Sequence, residues 1–314
     1  MEKPEIVSAA VAVLLRDDGQ VLLGQRPQGK PWGDWWEFPG GKIEQGESPY
    51  HALQRELQEE LGTKAIEAYP WLTRSFDYPE RKVKLHFFIV RRWTDVPHGR
   101  EGQQLSWQNP AALTVDPMLP ANAPVLSALL LPTTYAITNL AEMGKILFFA
   151  QLRKALANGL RLIQVREKHL SRAELKTFAQ RVIALARPYA ARVLINADIE
   201  FANSVGADGV HLNAIRLMAM QARPEGLLCG ASCHNAIELE HAANLGLDFV
   251  LLSPVMSTRS HPDIAALGWR KFLRLIQNYP LPVYALGGLQ PQNMVGAWQH
   301  GAHGIAMRRA AWEC

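Results

Sequence analysis

The stretch from Gly40 to Gly62 constrains the fold of this chain most. Its second half predicts a helix. Ser48 supplies a hydroxyl N-cap, Pro49 suits the first helical position, and Gly62 is a stop signal. Ala52, Leu53, Leu57 and Leu61 recur at helical spacing, so one stripe of this helix must lie on a core. Glu56, Glu59 and Glu60 stand at i, i+3 and i+4 and are expected to share a face. Such crowding destabilises a helix unless a cation relieves it, and hard ions such as Mg²⁺ or Mn²⁺ take oxygen ligands. Ahead of the helix, Gly40-Gly41 lets the backbone approach a ligand and can offer a carbonyl to a metal. Arg55 can pair with a neighbouring carboxylate and fix its orientation. Taken alone, the same residues also suit a solvated, Glu-rich amphipathic helix behind a capping turn.

The 314 residues suggest about two domains. The apolar fraction of 48% and charged fraction of 20% are ordinary for a soluble globular chain. A net charge of +4 and a pI of 9.0 fit an anionic substrate. That charge is too weak for a nucleic-acid platform, and no basic run is interleaved with aromatics, so no stable nucleic-acid complex is expected. Three cysteines are too few, and odd in number, for a disulfide scaffold; they fit the reducing cytoplasm. Cys229 and Cys233 lack the second pair that a zinc site needs. The first residues are charged with no signal-like apolar core, and the longest apolar stretches, such as Val125 to Leu131, are far too short to span a membrane.

Residues 6–15 and 21–24 read as strands around the turn Asp17-Asp18-Gly19, and 71–76 and 82–93 as two more. Residues 28–36 form a Pro/Gly/Trp loop, 96–104 a polar loop, and 122–131 a closing helix. The extended spacing Gly, five residues, Glu, seven residues, Arg-Glu-apolar, one residue, Glu-Glu, one residue, Gly resembles the signature of the Nudix hydrolases. Thr63 departs from it, standing where the family usually has a bulky apolar residue.

Residues 1–131 resemble more narrowly the MutT type, the 8-oxo-dGTP diphosphatases that remove oxidised guanine nucleotides. The carriers are Gln25-Arg26, Glu37-Phe38-Pro39-Gly40-Gly41-Lys42-Ile43-Glu44, Arg55 to Glu60, Gly99 to Gln103 and Pro120-Ala121-Asn122. The resemblance implies an α+β sandwich that uses Mg²⁺ or Mn²⁺. It implies Gly40, Glu56, Glu59, Glu60 and Glu101 as metal ligands, with Arg55 beside the catalytic glutamates. Arg26, Glu37, Phe38, Pro39, Gly40, Arg81 and Asn122 would contact a nucleoside triphosphate, Asn122 reading the purine edge. By themselves, Glu101 also suits a surface loop and Asn122 a helix N-cap. The loop 28–36 departs from the MutT pattern.

Past Leu131-Pro132-Thr133-Thr134 the pattern becomes short apolar strands alternating with helices. Eight strands are expected, at 135–138, 162–166, 193–196, 209–212, 227–231, 249–253, 283–286 and 304–307. Helices fit between most of them, for instance over 171–187 and 235–245. Eight βα repeats predict an α/β TIM barrel over 132–314, although none of the residues after Met307 read as a final helix.

This half resembles the thiamine phosphate synthase and TenI family. The carriers are Tyr135 to Asn139, Gln164 to Lys168, Leu194-Ile195-Asn196, Gly206 to Leu212, Gly230 to His234 and Leu286 to Leu289. The resemblance implies a thiamine-related phosphate ligand held by Gln164, Arg166, Lys168, Asn196, His211, Ser257, Thr258, Gly287 and Gly288. Two acidic positions depart from the pattern: Ala197 follows Asn196, and Asn213-Ala214 follows His211-Leu212. Without those carboxylates, handling of Mg²⁺ and pyrophosphate is expected to be lost. Three readings follow: a nucleotide pyrophosphohydrolase; a barrel that makes thiamine phosphate or isomerises a thiazole phosphate; and a barrel that only binds such a phosphate or supports the first domain.

Overall fold

The computed structural model describes residues 6–78, 81–258 and 265–313. They divide into two compact units: the described residues up to Leu131 together with Gln277–Pro280, and Pro132–Ile276 together with the residues from Leu281 on.

The first unit contains β1 (Ile6–Leu14), β2 (Val21–Gln25), β3 (Trp36–Glu37), β4 (Gly40–Lys42), α1 (Pro49–Leu61), β5 (Ala65–Tyr78), β6 (Arg81–Trp93), β7 (Leu105–Gln108) and α2 (Ala123–Leu129). One sheet runs β4-β1-β6-β5, with β1 and β6 parallel and the other pairs antiparallel. A second, antiparallel sheet runs β3-β2-β7. The central strands have apolar side chains on both faces, because successive residues point to opposite sides. Val11, Val13 and Phe87 enter one core with Val125, Leu126 and Ala128 of α2. Ala10, Ala12, Leu14 and Phe88 enter the other with Ala52, Leu53, Leu57 and Leu61 of α1. Helices on both faces of a mixed sheet make the expected α+β sandwich.

β5 starts six residues earlier than the expected 71–76. Pro70 and the register shifts around it hide the strand pattern there. Thr63 is fully buried, yet its hydroxyl lies 3.4 Å from that of Thr94 and accepts the Asp95 N–H. A polar partner thus replaces the apolar packing usual at this position.

The second unit contains β8 (Thr134–Ile137), α3 (Leu140–Met143), α4 (Lys145–Ala157), β9 (Leu162–Val165), α5 (Arg172–Ala186), β10 (Arg192–Ile195), α6 (Ile199–Val205), β11 (Gly209–Leu212), α7 (Ala214–Ala219), β12 (Leu228–Cys233), α8 (Ala236–Asn244), β13 (Phe249–Leu252), α9 (Gly268–Ile276), β14 (Val283–Leu286), α10 (Met294–Gln299) and β15 (Gly304–Met307). The eight strands close into a parallel barrel, with β15 beside β8. All eight expected strands are present. After β15 there is a 3₁₀ turn, Ala310–Trp312, in place of a full helix. Trp312 fills the gap: its ring is 5.1 Å from that of Phe148, and its indole N–H donates to the Ile137 carbonyl at 2.9 Å.

Candidate active site

Helix α1 is aimed by its two ends. Ser48 Oγ accepts the His51 N–H, with Pro49 at the first turn. Gly62 closes the helix at φ 65°, its N–H bonded to the Leu57 carbonyl. The buried stripe of Ala52, Leu53, Leu57 and Leu61 sets the rotation of the helix on the sheet, leaving Glu56 and Glu60 toward Gly40-Gly41.

That approach is close. The Gly40 N–H donates to Glu60 Oε2 at 3.1 Å. A Cβ on Gly41 would sit 2.2 Å from the Glu56 carboxyl, and one on Gly40 would sit 2.2 Å from the Ala10 carbonyl. At Gly40 the clash is with backbone and φ is 146°, so only glycine fits; at Gly41 an added Cβ would push the Glu56 carboxyl from its place. Arg55 lies behind this pair with acceptors for all five of its N–H donors. It donates twice to Glu47, once each to Glu56 (2.8 Å) and Glu59 (3.1 Å), and once to the Lys42 carbonyl (2.8 Å). This network raises the guanidinium's pKa and lowers that of Glu47. Glu59 is drawn toward Arg55, one helical turn earlier, and is more than half exposed. Glu56 and Glu60 line the cleft at the glycines, while Arg55 holds the side chains of both Glu56 and Glu59 on the same stretch of helix.

A cleft of about 630 Å³ opens beside these groups. Arg26, Glu37, Phe38, Pro39, Gly40 and Asn122 line it, as do Glu56, Glu60 and Glu101. Burial pushes Glu60 up to about 8, with the charges of Glu56, Glu37 and Glu101 adding to it and the Gly40 N–H opposing it. Burial also raises Glu56, against the pull of Arg55, and raises Glu37, against the pull of Arg26. The cleft thus concentrates carboxylates that are costly to keep charged without a cation. Among the described residues, no three ligand-type side chains already converge on one point. The donor set nonetheless fits a hard divalent cation, because every acid on the lining is a glutamate and neither Cys nor His is present. The space that Gly41 leaves for the Glu56 carboxyl serves the same end.

Asn122 stands at the N-terminus of α2 without making a side-chain cap. It is buried, and its amide lies 3.4 Å from the Trp36 carbonyl. Arg26 pairs with Glu37 and also donates to the Pro31 carbonyl. Arg81 opens β6, but its side chain lies outside the described residues. Sequence reasoning did not single out Lys30, Trp32 or Gln103, which also line the cleft. Lys30 and Trp32 sit in a loop with no periodicity to flag them. Gln103 is legible only through its bond to the Glu60 carbonyl.

At the carboxyl ends of β9 and β10 a hollow of about 260 Å³ is lined by Arg166, Lys168, Asn196, Ala197, Asp198 and Arg216. Burial, then the neighbouring Arg308, holds the Arg166 guanidinium below its ordinary range. Gln164 and His211 lie deeper, inside the barrel, where both meet the Tyr135 hydroxyl (3.2 and 3.3 Å). His211 Nε2 is 2.9 Å from the Ser232 hydroxyl. Gly288 meets Ser257: an added Cβ would lie 2.6 Å from the Ser257 carbonyl. Gly287 packs on Pro254, with 2.9 Å available. Thr258 ends a described run, and Arg259 and Ser260 fall outside it. Asn213, at one of the two departing positions, caps α7 by accepting the Arg216 N–H. Asp198 caps α6 and pairs with Arg172.

A family model described as "Thiamine monophosphate synthase" matches residues 134–311, and one described as "NUDIX domain" matches residues 6–129. The "Putative thiamine-phosphate synthase 2" of Aquifex aeolicus is 36% identical over 178 residues, 56% of this chain and 95% of that protein. The 8-oxo-dGTP diphosphatase of Haemophilus influenzae is 38% identical over 126 residues, 40% of this chain and 93% of that protein. The CTP pyrophosphohydrolase of Escherichia coli is 36% identical over 118 residues, 38% of this chain and 87% of that protein. With a two-sided sandwich followed in sequence by a closed eight-stranded barrel, the chain belongs to the thiamine monophosphate synthase family through its second unit and carries a Nudix domain as its first.

Proposed function

We propose that residues 1–131 form a Mg²⁺- or Mn²⁺-dependent nucleoside triphosphate pyrophosphohydrolase. It acts on 8-oxo-dGTP, releases the monophosphate and pyrophosphate, and so protects DNA replication and repair from oxidised precursors. The observation that carries this reading is the contact of Gly40-Gly41 with the Glu56 and Glu60 carboxylates on the wall of the 630 Å³ cleft. The diphosphatase among the relatives supports the substrate class.

In this reading Glu56, Glu59, Glu60, Glu101 and the Gly40 carbonyl hold the cation. When bound, it neutralises triphosphate charge and makes water a better nucleophile near neutral pH. Arg55 fixes Glu56 and Glu59 by hydrogen bonds, and one of the three helix glutamates, or an outlying glutamate, takes the proton. Arg26, Glu37, Phe38, Pro39, Arg81 and Asn122 position the nucleotide. The reducing cytoplasm suits the buried free thiols Cys229 and Cys233, and no described helix is long and apolar enough to cross a membrane. The test is turnover of 8-oxo-dGTP, dGTP and CTP by the full chain with each cation. A higher kcat/KM for CTP than for 8-oxo-dGTP would overturn the base assignment.

A second reading concerns residues 132–314, and the hollow at Arg166, Lys168 and Asn196 favours it. The barrel binds a thiazole or thiamine phosphate there, and Ser257, Thr258, Gly287 and Gly288 form the opposite part of the mouth. With Ala197 and Asn213-Ala214 in place of acids, binding should not need Mg²⁺. Calorimetry with each phosphate, with and without Mg²⁺, beside an assay for thiamine phosphate formation, tests this. Robust Mg²⁺-dependent synthesis would overturn it.

A further inference from the structure

Lys30 and Glu101 are 71 residues apart in sequence, yet their side chains meet at 2.8 Å on the cleft. Each is carried by an anchored loop. On one side, Arg26 donates to the Pro31 carbonyl next to Lys30, and the Gly33 N–H bonds back to the Lys30 carbonyl. On the other, the Glu101 N–H donates to Gln103 Oε1, Gln103 donates to the Glu60 carbonyl, and the Arg100 N–H bonds to that same carbonyl. Glu101 is thereby tied to the end of α1 that carries Glu60. The charge of Glu101 is felt at Glu56 and Glu60, and that of Lys30 at Glu37. Lys30 is thus a protein-borne cation on the lining of the same acidic cleft.

The pair is built to break. Lys30 is 53% exposed and Glu101 42%, and such an exposed pair is worth no more than about a factor of five in an equilibrium. A divalent cation among the glutamates would compete with Lys30 for Glu101. Once released, Lys30 stays on the cleft wall, because its backbone is held by the Arg26 anchor. A flexible ammonium group at that position suits the terminal phosphates of a nucleotide.

We propose that Lys30 is a displaceable counter-cation. It holds Glu101 before a divalent cation binds, yields that carboxylate to the cation, and then contacts the nucleotide's outer phosphates. Cation binding and nucleotide capture are coupled through one side chain in the loop that departs from the MutT pattern. The inference rests on the pyrophosphohydrolase reading.

Its signature is two effects of opposite sign. Lys30→Ala removes a competitor for Glu101, so Mn²⁺ binding to nucleotide-free protein, read by electron paramagnetic resonance, should tighten by about 3-fold. Affinity for a non-hydrolysable nucleoside triphosphate analogue with Mn²⁺ should weaken by about 10-fold, the scale of a lost charge-assisted phosphate contact. In a Glu101→Gln background, Lys30→Ala should no longer tighten Mn²⁺, while Lys30→Arg in the parent chain should preserve both affinities. Unchanged or weaker Mn²⁺ binding in Lys30→Ala would overturn the proposal, as would unchanged analogue binding. If the parent chain turns over no nucleoside triphosphate, the underlying reading fails; if it does so while Lys30→Ala shows neither effect, only the coupling fails.

Discussion

At the scale of single residues, Glu60 and Asn122 decide most. Glu60 is buried beside the Gly40 N–H and pushed up to about 8, so its charged form is costly unless a cation is present. Glu60→Gln keeps the shape and the neighbours but removes the charge. Hydrolysis should fall by about 10²-fold or more, the scale of a lost metal ligand. The thermal midpoint of the metal-free protein near neutral pH should not fall, because burial already holds the carboxyl largely protonated and Gln is its neutral counterpart of the same shape. Near-normal turnover at saturating Mg²⁺ would take Glu60 out of the ligand set. Asn122 makes no cap; it lines the cleft with its amide N–H₂ near the Trp36 carbonyl and the Met118 sulfur. Asn122→Ala should therefore reduce the preference for 8-oxo-dGTP over dGTP by about 1–3 kcal/mol of discrimination, the worth of a bidentate base contact. Equal losses on both nucleotides would make Asn122 a packing residue.

At the scale of elements, α1 is the unit whose placement matters, and its C-terminal stop can be probed directly. Gly62 holds φ 65°, and an added Cβ would lie 2.5 Å from the His98 ring. Gly46, in the loop before the helix, holds φ 81° but has open space around it. Gly46→Ala should cost only the left-handed backbone term, about 1 kcal/mol. Gly62→Ala adds the clash and should cost more, lowering the thermal midpoint further. Equal shifts in the two variants would mean that the His98 contact relaxes freely. The cap, the stripe and the stop of this helix were all legible in sequence, because each depends on residues within a few positions of one another. The direction of the Glu59 side chain was not, because it follows Arg55, which is itself held by Glu47 and the Lys42 carbonyl from outside the helix.

At the scale of the whole molecule, the barrel carries a pH dependence of its own. Burial, with a smaller effect from Arg166, pushes His211 down to about 3 from its ordinary 6.5. Between those values the unfolded chain binds a proton that the folded barrel does not. Stability therefore rises with pH across that window and is lost as pH falls through it. His211→Gln removes the proton site, so its stability should fall less between pH 6.5 and 4.5 than that of the parent. The difference in slope should reach about 1.4 kcal/mol per pH unit at most. Denaturant midpoints for the barrel's transition at the two pH values check this. Parallel losses in parent and variant would mean that His211 is not held neutral in the folded barrel.

Sequence alone determined the features that repeat or lie close together along the chain. The helix pattern of 49–61, the eight short apolar strands and the glycine spacing ahead of α1 are all local or periodic, and each appears in the fold where expected. The missing acids at Ala197 and Asn213-Ala214 were equally plain. Tertiary structure alone decided which distant groups meet. Lys30 reaches Glu101, Gly41 leaves room for Glu56, Trp312 stands in for a helix, and Gln164 and His211 turn inward to Tyr135. None of these contacts leaves a periodic trace, because a loop's direction depends on where the chain closes on itself, and local propensity carries no such information.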